Sequence, residues 1–222
     1  MIIAQQKPLE EIVENLDSYK KVLVAGCGTC VTVCLAGGEN EAKDMAAKLE
    51  LAGHDCEVVT LERQCDTEFI EVLDEKVGEY DAILSMACGC GVQFMAERWP
   101  DTIVLPALNT SFYGVNSDVG YWTEMCQGCG NCLLALTGGV CPVARCSKSN
   151  FNGPCGGSQE GNCEVDEGTD CAWQLIYDRL KRQGKLDCLT KMMPIRSWQT
   201  SRDGGPRAIR RTDVNVEVEA DE

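Results

Sequence analysis

Histidine is almost missing from this 222-residue chain, which has one, His54. General acid–base chemistry would therefore fall to carboxylates, lysine or tyrosine, and any zinc site would have to be built from thiolates alone. His54 itself reads as a surface residue in the turn that ends a helix. Basic residues are scarce too: 20 Lys and Arg stand against 35 Asp and Glu, a net charge of −15. So acidic a surface argues against nucleic acid or an anionic membrane as partner, because phosphate groups are bound by positive charge. No run approaches the roughly eighteen uninterrupted apolar residues of a membrane span. Residues 1–19 lack a basic segment followed by an apolar one and hold Glu10, Glu11, Glu14 and Asp17 instead, so no secretory leader is read there and a cytoplasmic location is expected. There is no Walker loop, no Ser–His–Asp set, no pair of carboxylates in a glycine-rich turn and no complete dinucleotide fingerprint.

Cysteine is abundant, with 16 residues. In a reducing compartment so many thiols bind metal more readily than they pair as disulfides. They are also counted in the 44% hydrophobic fraction, so the ordinary apolar core is modest and cross-links of another kind must help to hold the chain.

The first half alternates between strands and helices. An amphipathic helix at 10–19 precedes Lys21–Gly26, a buried strand ending in glycine. Residues 39–52 have helical spacing, with Met45, Leu49 and Ala52 on one face and Gly53 as the stop. Val58–Leu61 is a second strand, 66–77 a helix capped by Asp66, Tyr80–Met86 a third strand, 92–98 a short helix, and 101–105 a fourth strand. Links this short between strands and helices predict an α/β domain over residues 1–120, an open parallel sheet of Rossmann or flavodoxin type covered by helices.

Cysteines follow these strands. Gly26-Cys27-Gly28-Thr29-Cys30 stands after the first, with Cys34 four residues on; Cys65 follows the second, and Cys88-Gly89-Cys90-Gly91 the third. Side-chain sulfur at two positions of a would-be phosphate loop favours metal over pyrophosphate, which needs bare backbone there. In a parallel sheet all three turns lie beyond the carboxyl ends of the strands, so thiols far apart in sequence meet at one crevice. Glycine in both turns, the one of Cys27 and Cys30 and the one of Cys88 and Cys90, lets backbone N–H groups approach sulfur, which suits an iron–sulfur cluster. Cys34 and Cys65 are candidate ligands of the same [4Fe–4S] centre, whereas Cys56, inside a strand, reads as a small hydrophobe.

From Cys126 to Cys171 the character changes, with eight cysteines, nine glycines and seven large apolar residues. Ordering a backbone costs about 1–2 kcal/mol per residue, so hydrocarbon burial alone leaves this segment short and bound metal must contribute. Cys126, Cys129 and Cys132 form C-x₂-C-x₂-C, the spacing by which a short loop wraps three corners of a cubane, and Cys141-Pro142 supplies the Cys-Pro that closes such runs. Cys146, Cys155, Cys163 and Cys171 follow at wide spacing. The eight thiols suffice for two cubanes, for one cubane and a zinc, or for one cubane with spares. Residues 121–195 are thus expected to form a small ferredoxin-like, metal-binding domain, with a helix at 172–182. The remainder, 196–222, carries Arg196, Arg202, Arg207, Arg210 and Arg211 before an acidic end, and reads as a flexible or docking tail.

The string Cys141-Pro142-Val143-Ala144-Arg145-Cys146-Ser147-Lys148, with Asn152-Gly153-Pro154-Cys155-Gly156-Gly157, Gly161-Asn162-Cys163-Glu164-Val165 and Asp170-Cys171-Ala172-Trp173, resembles the cysteine-rich C-terminal domain of certain methylenetetrahydrofolate reductases. The layout of the whole chain is similar to the small iron–sulfur subunit of the acetogen-type enzymes. That resemblance implies a flavin-bearing barrel subunit as partner, with FMN on the partner only. It implies two or three [4Fe–4S] clusters here and a place in reducing 5,10-methylene-tetrahydrofolate to 5-methyl-tetrahydrofolate in the Wood–Ljungdahl pathway. Ferredoxin or another iron–sulfur protein would supply electrons, and the arginines of the tail are the candidate contact for so acidic a donor. The chain would then be a non-catalytic electron-transfer subunit. Two readings of other classes stay open: a zinc-stabilised assembly module for the flavoprotein, and an autonomous iron–sulfur enzyme with an open iron site completed by three of Cys27, Cys30, Cys34, Cys88 and Cys90.

Overall fold

The computed structural model describes residues 1–193, 195–209 and 211, and the chain divides into two units, Met1–Met125 and Cys126–Glu222. Arg210 and the acidic end of the tail lie outside the described residues. In chain order the first unit carries β1 (Ile2–Gln6), α1 (Leu9–Leu16), β2 (Lys21–Cys27), α2 (Cys30–Val33), α3 (Glu39–Leu51), β3 (Asp55–Leu61), α4 (Thr67–Ile70), β4 (Ala82–Met86), α5 (Gly89–Arg98), β5 (Ile103–Pro106), β6 (Leu108–Asp118) and β7 (Tyr121–Cys126). Among the described residues no helix is long and apolar enough to cross a membrane.

The expected parallel sheet is present in the order β3–β2–β4–β5, with every neighbouring pair parallel. β2 explains why. Its sequence Val22-Leu23-Val24-Ala25 is apolar at every position because both faces are covered: Val22 and Val24 join one core with Ile12, Leu16, Met45 and Leu49, while Leu23 and Ala25 join the opposite core with Ile70, Leu73, Ile83 and Met95. Burying each such large side chain contributes roughly 1.5–3 kcal/mol. α3 begins where the Glu41 carboxylate accepts from the Gly38 backbone N–H at 2.9 Å, and ends at Gly53, whose φ of +103° takes the chain out of the helix.

Two departures from the sequence reading have physical causes. The single helix expected over 66–77 is instead α4 followed by two 3₁₀ turns, Glu71–Leu73 and Val77–Glu79. Its buried residues Ile70 and Leu73 stand three apart, the repeat that a 3₁₀ turn aligns. Asp74 is drawn off to α5, where it accepts from Arg98 Nε at 2.7 Å and from Trp99 Nε1 at 2.9 Å. Nor does the sequence reading include a second sheet, the antiparallel β1–β6–β7. In β6 only Leu108 and Gly114 are buried, so the strand lacks the alternation that announces one.

The second unit has α6 (Pro142–Arg145), α7 (Ala172–Arg182) and 3₁₀ turns at Leu186–Thr190 and Arg202–Gly204; between them it is mostly turns. α7 occupies the expected span. It buries Trp173, Ile176 and Leu180 at helical spacing against Val140, with Cys146, Cys171 and Cys188 packed around them. Trp173 Nε1 donates to the Asn150 carbonyl at 2.7 Å. Four large residues make a small core for the size of the unit.

One close approach in the first unit yields a stability test. Gly37 lies against the end of β4, and a Cβ added there would stand 1.9 Å from the Met86 carbonyl oxygen, a backbone atom with nowhere to go. Gly37→Ala is expected to destabilise the first unit by about 1–3 kcal/mol through overpacking, read as a lowered midpoint in chemical denaturation, whereas Gly78→Ala, in open space, leaves the midpoint nearly unchanged.

Candidate metal centres

Register brings the first group of thiols together. Gly26 is paired with Thr60 on one side and Met86 on the other, and Cys27 with Leu61, so the turns after β2, β3 and β4 leave the sheet at one level. From β2 the chain steps outward to β3 and then returns past β2 to β4; the β2 and β4 turns therefore flank the point where strand order reverses, the usual binding crevice of such sheets. Cys27 ends β2, Cys30 opens α2, Cys65 follows β3, and Cys88 caps α5 with Cys90 in its first turn.

These five thiols lie close enough to influence one another's protonation. Partial burial pushes the Cys65 thiol above its usual range, and the neighbouring Cys88, Cys27 and Cys30 add to the rise. Burial also raises Cys90, followed by the charge of Cys88. Without a cation, then, Cys65 and Cys90 hold their protons more firmly than free thiols, and a bound cation would reverse that preference. Cys34 is placed differently. It lies in the apolar core, and its Sγ donates to the carbonyls of Ala4 and Val31, both at 3.6 Å. Burial pushes its pKa up, with Cys30 a smaller contributor. Cys56 packs at the edge of the core, and its pKa is raised to about 11 by burial and by Glu50 and Asp55.

Beneath the crevice lies a residue that the sequence did not single out. Gln64, immediately before Cys65, has no exposed surface. Its Nε2 donates to the carbonyls of Ala25 at 2.8 Å and Gly26 at 3.0 Å, and its Oε1 accepts from Ser85 Oγ at 2.5 Å. One amide thus ties the β3 turn to β2 and β4 from below, and all of its buried polar atoms are satisfied, as burial demands.

Glycine plays two roles. In the first unit the N–H groups beside the cysteines are engaged elsewhere: Gly28 donates to Leu61 O at 2.8 Å, Gly89 to Thr110 Oγ1 at 2.8 Å and Gly91 to Cys88 O at 2.9 Å. The expected approach of amide to sulfur appears instead in the second unit, where Gly128 N–H donates to Cys126 Sγ at 3.3 Å and Gly157 N–H to Cys155 Sγ at 3.4 Å.

Four of the second unit's thiols share one place. Cys146, Cys155, Cys163 and Cys171 line a cavity of about 20 Å³, room for roughly one water molecule, beside the ion pair of Lys148 with Glu164. A hydrogen bond with Ser147 Oγ at 3.3 Å is the first of several that hold the Cys163 thiol below its ordinary range. Cys126 and Cys132 are exposed and Cys129 and Cys141 half-buried; Cys141 caps α6, with Pro142 at its first position. Cys129 Sγ accepts from Arg196 Nη2 at 2.9 Å, so part of the arginine-bearing segment packs against the C-x₂-C-x₂-C loop. His54 sits in its turn, Nδ1 2.9 Å from Tyr19 O.

As they stand, no three Cys, His, Asp or Glu side chains among the described residues are arranged to hold a metal ion. The donor set nonetheless suits a thiophilic metal. Five thiols share a sheet edge and four share a cavity, sulfur already accepts amide N–H in two turns, and the chain's one histidine is bonded elsewhere.

The thiols should differ in reactivity when the chain is free of metal. Thiolate is the nucleophile, so at neutral pH Cys163, with its lowered pKa, should be alkylated well ahead of Cys56. Raising the pH above 9 brings Cys56 toward its ionisation at about 11 and narrows the difference. Timed iodoacetamide labelling read by peptide mass spectrometry checks the order; equal rates at pH 7 would contradict it.

Residues 105–199 match a protein-family model described as the C-terminal region of methylene-tetrahydrofolate reductase. The matched span is under half of the chain. It takes in all eight cysteines from Cys126 to Cys171, together with Cys188 and Arg196, and excludes the thiols at the sheet edge. No curated protein and no solved structure matches the chain. Over residues 105–199, then, the chain is similar to the C-terminal region of methylene-tetrahydrofolate reductase.

Proposed function

We propose that this chain is an iron–sulfur electron-transfer subunit of a methylenetetrahydrofolate reductase complex. The observation that carries the reading is the gathering of Cys27, Cys30, Cys65, Cys88 and Cys90 from three turns at the carboxyl edge of one parallel sheet, in a chain whose residues 105–199 match a reductase C-terminal family. Four of those five thiols would hold one centre, and Cys126, Cys129, Cys132 and Cys141 a second. An iron–sulfur cluster bound at such thiolates supplies one-electron redox chemistry. The protein's own part is to fix the thiols: the Gln64 amide holds the three turns in common register, and Thr32 Oγ1 donates to the Cys27 carbonyl at 2.7 Å. Cys27 and Cys88 are buried, which lowers the local dielectric around them.

The partner in this reading is a flavin-bearing barrel subunit that reduces 5,10-methylene-tetrahydrofolate to 5-methyl-tetrahydrofolate, with a ferredoxin or another iron–sulfur protein as the electron source. Cys146, Cys155, Cys163 and Cys171 are assigned a separate role. A cavity with room for one small sphere favours a single ion in a tetrathiolate site, and zinc with four sulfurs at about 2.3 Å is such an ion. Bound there, it would close the loops around α7 and add to the second unit's small core.

Iron, sulfide and zinc per chain, measured on protein purified without oxygen, test both assignments. Iron and sulfide in near-equal amounts, with one zinc per chain, are expected. Cys88→Ser should lose iron and stop electron delivery while the partner subunit still turns over with an artificial reductant. Cys163→Ser should lose zinc and keep the iron of the first unit. Iron-free protein that supports full flux overturns the carrier reading, and turnover by this chain alone would favour an autonomous enzyme.

A further inference from the structure

Arg196 is an anomaly among the arginines. Its residue is 9% exposed, yet among the described residues it makes no ion pair, and both Nε and Nη1 are buried without a hydrogen-bond partner. Among the described residues the one polar contact of its side chain is from Nη2 to Cys129 Sγ at 2.9 Å. Its guanidinium lies over the Trp198 ring, 4.6 Å from the centroid, and the other side of that aromatic pair is fixed by Phe151, whose ring meets Trp198 edge-on at 5.8 Å. The guanidinium is therefore held in place and cannot swing out to water without giving up its stacking.

A buried guanidinium cannot shed its proton, so its charge must be met by negative charge nearby. A neutral Cys129 thiol does not meet it. A thiolate bound to iron would meet it, and a cluster held by this loop would offer sulfur acceptors to the two unpartnered N–H groups. The surrounding chain supports the same arrangement. Arg207 Nη1 donates to the carbonyls of Gly128 at 2.6 Å and Thr200 at 2.7 Å, and Thr200 Oγ1 donates to the Cys129 carbonyl at 3.0 Å. At Gly130, φ is +77° and an added Cβ would stand 2.3 Å from Thr200 O, so the segment carrying Arg196 lies directly on the loop.

We propose that Arg196 is the buried counter-cation of the centre held by the Cys126–Cys132 loop, a positioning residue that donates to the Cys129 sulfur and biases that centre toward its reduced state. The inference rests on the proposed iron–sulfur content of the loop. Reduction adds one electron, taken from a one-electron donor such as a low-potential iron–sulfur protein or a reduced flavin, and so adds one negative charge beside a fixed positive one. In a low-dielectric site that pairing is favourable, and hydrogen bonds to cluster sulfur raise its potential. Arg196 stays protonated throughout, so no proton need follow the electron at this residue.

The test uses the full chain, prepared without oxygen, with iron and sulfide measured first. The signal of the loop's centre is identified as the one lost in Cys129→Ser, and a redox titration followed by EPR gives its potential. Arg196→Gln is expected to keep its iron and to shift the equilibrium toward the oxidised form at least tenfold, a fall of 59 mV for one electron. Arg196→Lys, which keeps the charge but loses the planar fork, is expected to fall between the two. An unchanged potential in Arg196→Gln with iron retained overturns the proposal. Should Arg196→Gln lose the loop's iron, Arg196→Lys decides: iron retained at a lowered potential supports the assignment, and iron lost from both, or an unmoved potential, overturns it. A wild-type chain without iron sinks the underlying reading instead, and is recognised before either variant is made.

Discussion

Parallel pairing of β2 with both β3 and β4 is the constraint on which the rest depends, because it makes three distant turns start from one level. In an antiparallel arrangement the same cysteines would emerge at opposite ends of the sheet. Register alone does not fix the turns, however. The buried Gln64 amide reaches the carbonyls of β2 and the Ser85 hydroxyl of β4 from the β3 side, so the level set by the ladders carries over into the loops. A fully satisfied polar network inside an apolar layer has few alternative arrangements, and its members specify one another's positions.

Most of the first unit could be read from its residues because its elements obey strong local rules. The all-apolar β2, the Glu41-capped start of α3 and its stop at Gly53, and the amphipathic α7 of the second unit each stand where period and capping place them. The antiparallel sheet escaped because its central strand, β6, buries little and shows no alternation to read; tertiary pairing with β1, not local pattern, makes it a strand. The interrupted helix near Asp74 escaped for a similar reason, since the carboxylate's partners, Arg98 and Trp99, come from α5.

Cysteine positions were the legible part of the candidate sites, and the residues around them were not. Glycine beside a cysteine signals that backbone can approach, but not which acceptor it finds: Gly28 and Gly89 serve the fold, whereas Gly128 and Gly157 serve sulfur. Ser147, whose hydroxyl meets Cys163, lies sixteen residues away in sequence. Arg196 carried no signal except membership in a run of arginines, and such runs usually belong to solvated surface; its burial follows from stacking on Trp198, a contact between side chains that no spacing rule encodes.

The two units differ in how much they can stand alone. The first has apolar layers on both faces of a four-stranded sheet, while the second gathers four large side chains around α7 and leaves the rest to turns. Maturation of such a chain is staged by that imbalance. The leading part can acquire its shape during synthesis, whereas the trailing part, under the proposed metal content, would wait on inorganic cargo delivered afterwards. Oxidative loss of such cargo would run the order backwards, unravelling the trailing part first and leaving the leading part folded.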